Sequence, residues 1–145
     1  MKKLHFTISI RAPKERVWKK MLEPDTYRQW TEAFGPGCYY EGSWDKGSKI
    51  KFLSPPGEGM TAVIAENREF EFLSIRHLGL VKGGVEDTES PEAKAWAPAY
   101  ENYTFTEKAG VTEVRVDLDS NEEFEKMFED LWPNALSRLK QICES

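Results

Sequence analysis

The first part of the chain alternates between apolar and polar residues and then changes to a spacing of three and four. Alternation over residues 4–11 is the pattern of a strand with one buried face. Residues 13–22 place apolar side chains at helical spacing, and Pro13 suits the first turn of a helix. After a break at Pro24, the spacing predicts a second short helix over residues 25–33. The pattern therefore predicts one strand followed by two short helices.

The middle of the chain is rich in residues that favour strands and is interrupted by turn signals. The segment 79–94 is polar, contains Gly83-Gly84 and Pro91, and is predicted to be a loop. Strands that follow one another without helices between them pair in an antiparallel sheet. We predict six strands here, over residues 38–44, 48–54, 60–66, 69–78, 96–107 and 111–119.

The end of the chain has the pattern of one long amphipathic helix. Apolar residues recur every three or four positions between Phe124 and Ile142, after a possible cap at Asp119 or Ser120. Pro133 lies inside this run. Strands and helices segregated along the chain indicate the α+β class, and a length of 145 residues indicates a single domain, residues 1–145.

Charge and composition exclude several classes of function. With 20 basic and 25 acidic residues, the net charge is -5, and the basic residues form no cluster, so we expect no binding to nucleic acid. No apolar run is long enough to insert into a membrane, and the start lacks the apolar core of a signal peptide, which predicts a cytoplasmic protein. Cys38 and Cys143 are expected to be reduced thiols. Aromatic residues, in contrast, reach 12% of the chain and must pack against something.

Seven stretches, in this order and spacing, resemble one family. The chain is similar to START-like proteins of the helix-grip, or pollen-allergen-like, fold, and within them to single-domain homologues of the activator of heat-shock protein 90 ATPase. The resemblance implies a curved antiparallel sheet of about seven strands wrapped around the long C-terminal helix, with two short helices after the first strand and a cavity inside. The stretches are IRAPKERVW (10–18), YRQW (27–30), GSWDKGSKI (42–50), LSIRH (73–77), ENYTF (101–105), GVTEV (110–114) and WPNALSRLK (132–140).

The implied cavity offers a place for the aromatic residues. Large apolar cavities with a few polar groups are the usual form of small-molecule sites, so the expected partner is a small apolar or amphipathic molecule. The alternative is that the same rings fill the space as ordinary core. The predicted lining consists of Trp30, Phe34, Trp44, Phe52, Met60, His77, Trp96, Tyr103, Phe105, Phe128, Trp132 and Leu136.

Motifs for metal or nucleophilic chemistry do not occur. His5 and His77 are the only histidines, neither is part of an HExxH motif, and we expect no metal and no cofactor. An acid–base reaction needs a titratable group that points into the cavity. The candidates for it are His77, Tyr103, Glu101 and Arg76. Glu101 and Arg76 rank below the other two, because charged residues on a sheet are more often solvated or paired across strands.

Three functions follow from these observations. The first hypothesis is a non-enzymatic domain that holds a small apolar ligand. The second is a pocket enzyme of the polyketide cyclase or dehydratase type, using His77 or Tyr103. The third is a co-chaperone-like module, but the two-domain activators carry an additional N-terminal domain for the chaperone, and this sequence starts at the first strand, which argues against a chaperone partner. A weak homodimer is compatible with all three.

Overall fold

The structure, a computed structural model, describes residues 2–120 and 122–145, and at Trp96 it describes the backbone alone. The first strand and the two short helices that follow it lie where the sequence predicts them. Pro24 occupies the first turn of the second helix, where its missing N–H costs nothing. These elements are β1 (Lys2–Ile10), α1 (Lys14–Leu22), α2 (Pro24–Trp30) and a 3₁₀ helix (Thr31–Phe34).

The remaining strands form one antiparallel sheet with β1. The order across the sheet is β1-β8-β7-β5-β4-β3-β2, and the short β6 pairs with the end of β5. The predicted α+β class, curved antiparallel sheet and long C-terminal helix are confirmed. The elements are β2 (Tyr39–Gly42), β3 (Lys49–Ser54), β4 (Glu58–Arg68), β5 (Phe72–Lys82), β6 (Val85–Asp87), α3 (Pro91–Trp96), β7 (Ala99–Lys108), β8 (Val111–Ser120) and α4 (Glu122–Glu144).

The loop prediction over residues 79–94 is wrong. β5 continues to Lys82, turns at Gly83-Gly84 with both φ angles positive, and returns as β6. α3 then begins at Pro91, and the Ser90 side chain accepts a hydrogen bond from the Ala93 N–H. Two adjacent glycines allow a tight hairpin turn, and Ser before Pro is a helix start, so local signals for both elements were present. β7 consequently begins at Ala99 rather than at residue 96.

The two faces of the sheet differ as the alternation of β1 and β8 predicts. On the solvent face, the partly exposed His5 and Arg115 side chains both contact the Asp117 carboxylate. Partial burial would raise the pKa of Asp117, but hydrogen bonds from Arg115 and His5 outweigh this effect and lower it. On the other face, apolar side chains such as Leu118 and Val116 are buried.

The C-terminal half of α4 is held firmly against the rest of the molecule. Trp132, Ala135, Leu136, Leu139 and Cys143 are its buried residues, and the helix is continuous through Pro133. Its end is bonded to α1 and to the segment before α1: the Arg16 Nε donates to the Cys143 carbonyl at 2.7 Å, and the Arg11 N–H donates to the Glu144 carboxylate at 2.8 Å.

The N-terminal half of α4 is different. No residue described between Glu122 and Leu131 is buried, although Phe124, Met127, Phe128 and Leu131 repeat the same apolar spacing. Apart from Phe128, which packs against the edge of the core, this half of the helix presents an apolar face that the protein's own core does not cover.

Candidate functional site

A cavity of about 610 Å³ lies between the sheet and the uncovered half of α4. α2, the 3₁₀ helix and strands β3, β4, β5, β7 and β8 supply most of its walls, and α3 closes part of one side. The size falls within the roughly 300–1,000 Å³ typical of small-molecule sites. The space that the family resemblance implied is therefore present.

Most of the residues predicted to line the cavity do so. They come from elements far apart in sequence, and the sheet and α4 bring them together. The predicted residues found in the wall are Trp30, Phe34, Trp44, Phe52, Met60, His77, Tyr103, Phe128 and Trp132.

Three predicted residues are not among them. Phe105 lies further along β7, under α1, where its ring is 5.2 Å from that of Trp18. Leu136 lies one turn beyond Trp132, where α4 already rests on the core, and it is only 1% exposed. Both have the periodicity of lining residues, but the cavity ends before it reaches them. The side chain of Trp96 lies outside the described residues.

Trp132 forms the inner end of the cavity. Its ring lies 5.0 Å from Phe34, 6.1 Å from Trp30 and 6.1 Å from Tyr103, measured between ring centroids. Phe6 stacks against it at 6.2 Å. Rings at these separations stabilise one another beyond their buried area, so this end of the cavity is a preformed wall.

A second group of rings forms the side wall below α2. Neighbouring ring centroids in this group are 5.0 Å apart for Tyr27 and Tyr40 and 4.9 Å apart for Tyr40 and Trp44. The centroids of Trp44 and Phe52 are 5.8 Å apart. The Tyr40 hydroxyl and the Trp44 indole N–H both donate to the carbonyl of Leu22, at 2.6 and 3.2 Å. Burial, with a smaller contribution from the charge of Glu101, raises the pKa of Tyr27 well above its ordinary value, so Tyr27 is a neutral wall residue.

One polar cluster stands among these rings. One oxygen of the Glu101 carboxylate lies 3.0 Å from His77 Nε2. The other oxygen accepts a hydrogen bond from the Tyr103 hydroxyl. The His77 side chain is 6% exposed and packs edge-on against Phe52, with ring centroids 5.7 Å apart. The cross-strand pairing predicted as one alternative for Glu101 is thus present, and the pair lies in the cavity wall.

A bulge in β5 directly after His77 brings Leu80 into the same wall. Ala62 pairs with His77 and Thr61 with Gly79, so Leu78 has no partner on β4. The extra residue shifts the alternation, and both His77 and Leu80 line the cavity although they are three positions apart. Arg76, which was also considered, is exposed and lies with Lys94 at a separate, more open pocket of about 400 Å³.

The opening of the cavity is marked by the lining residues that are exposed. Glu58 lies at the start of β4, Glu92 on α3, Tyr100 on β7, and Glu123 and Met127 on α4. A ligand would therefore enter between the β3–β4 hairpin, α3 and the first turns of α4. Within residues 2–120 and 122–145, no three His, Cys, Asp or Glu residues are grouped so that they could hold a metal ion.

Cys38 provides a test of whether the cavity is open. Burial raises the pKa of both thiols, but Cys38 is only half-buried in the wall, whereas Cys143 is 3% exposed and its pKa is raised to about 11. Because the thiolate is the reactive form, we expect a disulfide reagent at pH 8 to modify Cys38 at least about tenfold faster than Cys143. Mass spectrometry of the labelled peptides measures both rates, with Cys38→Ser as the control. Equal rates at the two thiols would contradict the open cavity.

A family model provides the decisive comparison. The model described as "Activator of Hsp90 ATPase homolog 1-like protein" matches residues 11–144. The chain belongs to this family. The match covers both the strands that form the walls and all of α4, so the resemblance seen in the sequence is confirmed. Among the curated proteins, no sequence matches this family member significantly.

Solved structures show the same fold at low sequence identity. The Aha1 dimer from Colwellia psychrerythraea is 20% identical, with a TM-score of 0.76 over 99% of this chain and 97% of that one. Protein MLL2253 from Mesorhizobium loti is 14% identical, also with a TM-score of 0.76, over 97% and 95%. DynU16, a protein in the dynemicin biosynthetic locus, is 15% identical with a TM-score of 0.71, over 99% of this chain and 47% of that one. The part of this family member that the structure describes has no helix suited to crossing a membrane.

Proposed function

We propose that the protein binds one small, largely apolar molecule in the cavity between the sheet and α4. The observation that carries this proposal is the uncovered half of α4. Phe124 is 38% exposed and Met127 is 43% exposed, yet both belong to the cavity wall. A helix that only completed the core would bury these side chains, as the second half of α4 buries Trp132 and Leu139.

The energetic argument follows from exposed apolar area. Each square ångström of apolar surface removed from water contributes about 25 cal/mol, so a ligand that covers these side chains is favoured without any change in the fold. The rigid walls around Trp132 and Tyr27 reduce the entropy that must be lost on binding. Together these features support a binding site that exists before its ligand arrives.

Filling the cavity tests this proposal. Leu80 is half-buried in the wall, and Leu80→Trp is expected to occupy the space and raise the dissociation constant of the neutral fluorescent probe N-phenyl-1-naphthylamine at least about tenfold. Val85→Trp adds the same ring at a position that is 67% exposed and outside the wall, and is expected to leave binding unchanged. Native mass spectrometry of the wild type purified from its own host should show a co-purifying small molecule that Leu80→Trp lacks. Equal probe affinities of the two variants would count against the proposal.

A second candidate function is acid–base catalysis on the bound molecule. The cluster of His77, Glu101 and Tyr103 favours it, because three groups that can exchange protons are hydrogen-bonded inside an apolar cavity. A polyketide cyclase or dehydratase reaction needs this kind of cluster, and the fold is shared with DynU16. The cluster does not require catalysis, because buried polar groups also pair with one another in a site that only binds its ligand. Catalysis is therefore the second candidate.

Separate substitutions distinguish catalysis from binding. If the cluster is catalytic, His77→Gln and Tyr103→Phe should each reduce conversion of the co-purified molecule by about a hundredfold or more. Arg76→Gln, on the exposed side of the same sheet, is the matched control and should retain full turnover. Chromatography of the reaction mixture measures the product. Turnover that is unchanged in both cluster variants would eliminate these roles.

The other expectations stay predictions. The Colwellia relative is described as a dimer, and a weak homodimer of this chain can be measured by sedimentation velocity. The co-chaperone role and the cytoplasmic location rest on the family resemblance and the sequence, and the geometry of the cavity does not bear on them.

A further inference from the structure

The charged residues of the cavity wall all have the same sign. Among its described residues, the wall contains no Lys or Arg, and His77 is its only basic side chain. Its acidic residues are Glu58, Glu92, Glu101, Asp119 and Glu123.

Some of these carboxylates are already paired from outside the wall. Lys82 Nζ lies 2.6 Å from Glu92, and Lys3 Nζ lies 2.7 Å from Asp119. Glu58 and Glu123 take part in no ion pair with any residue in the described part of the chain. Both are exposed wall residues at the opening, so an entering ligand meets their charges. Lys82 is within reach of Glu58: its pKa is raised mainly by its hydrogen bond to Glu92 and in smaller part by the charge of Glu58.

The apolar side chains at the opening suit the same kind of ligand. Tyr100 is 39% exposed and Phe124 is 38% exposed, and both belong to the wall of the same cavity. The face of an aromatic ring attracts a cation, and the attraction is stronger where the ring is partly shielded from water. A negatively charged group at this place would be repelled by the carboxylates and would gain nothing from the rings.

We infer that the ligand is a cationic amphiphile, such as a molecule with an ammonium group, whose apolar body occupies the cavity and whose charge lies at the opening beside Glu58 and Glu123. This inference rests on the proposed binding function and narrows it, because it predicts weaker binding of fatty acids and other anionic amphiphiles of the same size. The site is the aromatic cavity itself, and the carboxylates determine which charge it accepts.

Three probes with the same ten-carbon chain test the inference. Decyltrimethylammonium, decanol and decanoate carry positive, zero and negative charge, and each can be titrated against bound N-phenyl-1-naphthylamine at low salt. We expect decyltrimethylammonium to bind at least about tenfold more tightly than decanoate, with decanol between them, because each exposed charge pair contributes a few tenths to one kcal/mol. The ratio of the decanoate dissociation constant to the decyltrimethylammonium dissociation constant should fall when salt is added, because salt screens exposed charges.

Two double variants locate the effect. Glu58→Gln with Glu123→Gln should reduce the ratio to about threefold or less. Glu113→Gln with Glu129→Gln changes the net charge equally at residues outside the wall, and should leave the ratio unchanged.

The outcomes separate the inference from the proposed function. If decanol binds and decanoate binds as tightly as decyltrimethylammonium, the inference is overturned and the binding function stands. An equal loss of preference in both double variants also overturns it, since net charge rather than the opening would then set the preference. If none of the three probes binds, both the inference and the binding function are overturned.

Discussion

Replacing Trp132 with alanine is expected to lower the free energy of unfolding by about 3–5 kcal/mol. Trp132 is 4% exposed, and its ring contacts those of Phe6, Trp30, Phe34 and Tyr103. Its removal leaves a void that joins the cavity, and the surrounding rings lose their common partner. For a chain of this length the melting temperature should fall by roughly 10 °C or more.

Phe124→Ala is the matched control for this prediction. It removes a large aromatic ring from the same face of the same helix, but from the half that the core does not cover, where Phe124 is 38% exposed. We expect the free energy of unfolding to fall by about 1 kcal/mol or less, because the substitution removes little buried apolar surface. Urea denaturation measures both variants. Equal losses would show that the two halves of α4 are packed alike, which would contradict the open cavity.

The second large effect concerns the close approach of β3 and β4. A Cβ on Gly59 would lie 1.9 Å from the Phe52 carbonyl oxygen, and this oxygen belongs to the paired strand. Gly59→Ala therefore cannot be accommodated without moving two strands apart. We expect the free energy of unfolding to fall by about 3 kcal/mol, which is at the upper end of the cost of overpacking. Phe52 and Met60 lie on these strands and in the cavity wall, so binding of N-phenyl-1-naphthylamine should weaken as well.

Gly83→Ala separates this clash from the general cost of replacing glycine. Gly83 lies in the turn between β5 and β6 with φ at +58°, and a Cβ there would meet nothing within 4 Å. The variant should lose only about 1 kcal/mol, the cost of a left-handed backbone for a residue with a side chain. Probe binding should be retained. If Gly83→Ala lowered the free energy of unfolding as much as Gly59→Ala, the cost in both variants would come from backbone conformation and not from contact between the strands.

Local patterns predicted the elements well where one rule applied to the whole segment. The alternation of β1 and the helical spacing of α1 and α4 each produced an element close to its observed bounds. The segment around Gly83 and Pro91 failed because its polar composition was given more weight than its hairpin and cap signals. The bulge at Leu78 has no comparable signal, since it depends on how β5 pairs with β4.

The cavity wall could be predicted only in part for a similar reason. Periodicity assigns a residue to the inner face of its element, and it treats Tyr103 and Phe105 alike. It does not say where α4 leaves the sheet, and this determines that Tyr103 lines a space while Phe105 is covered by α1. Glu101 was undervalued because a charged residue on a strand is usually solvated, and only the pairing of β5 with β7 places it beside His77.

The sequence alone determined the α+β class, the order of the elements apart from β6 and α3, and the abundance of aromatic residues on the inner faces, because these properties depend on periodicity along one segment at a time. The tertiary structure decided whether those rings fill the interior or surround a space. That outcome depends on the contacts between distant segments: the C-terminal half of α4 is held down around Trp132, and the N-terminal half extends over the sheet without closing on it. The same contacts placed Glu58 and Glu123, which form no ion pair within residues 2–120 and 122–145, at a common opening, although they are far apart in the chain.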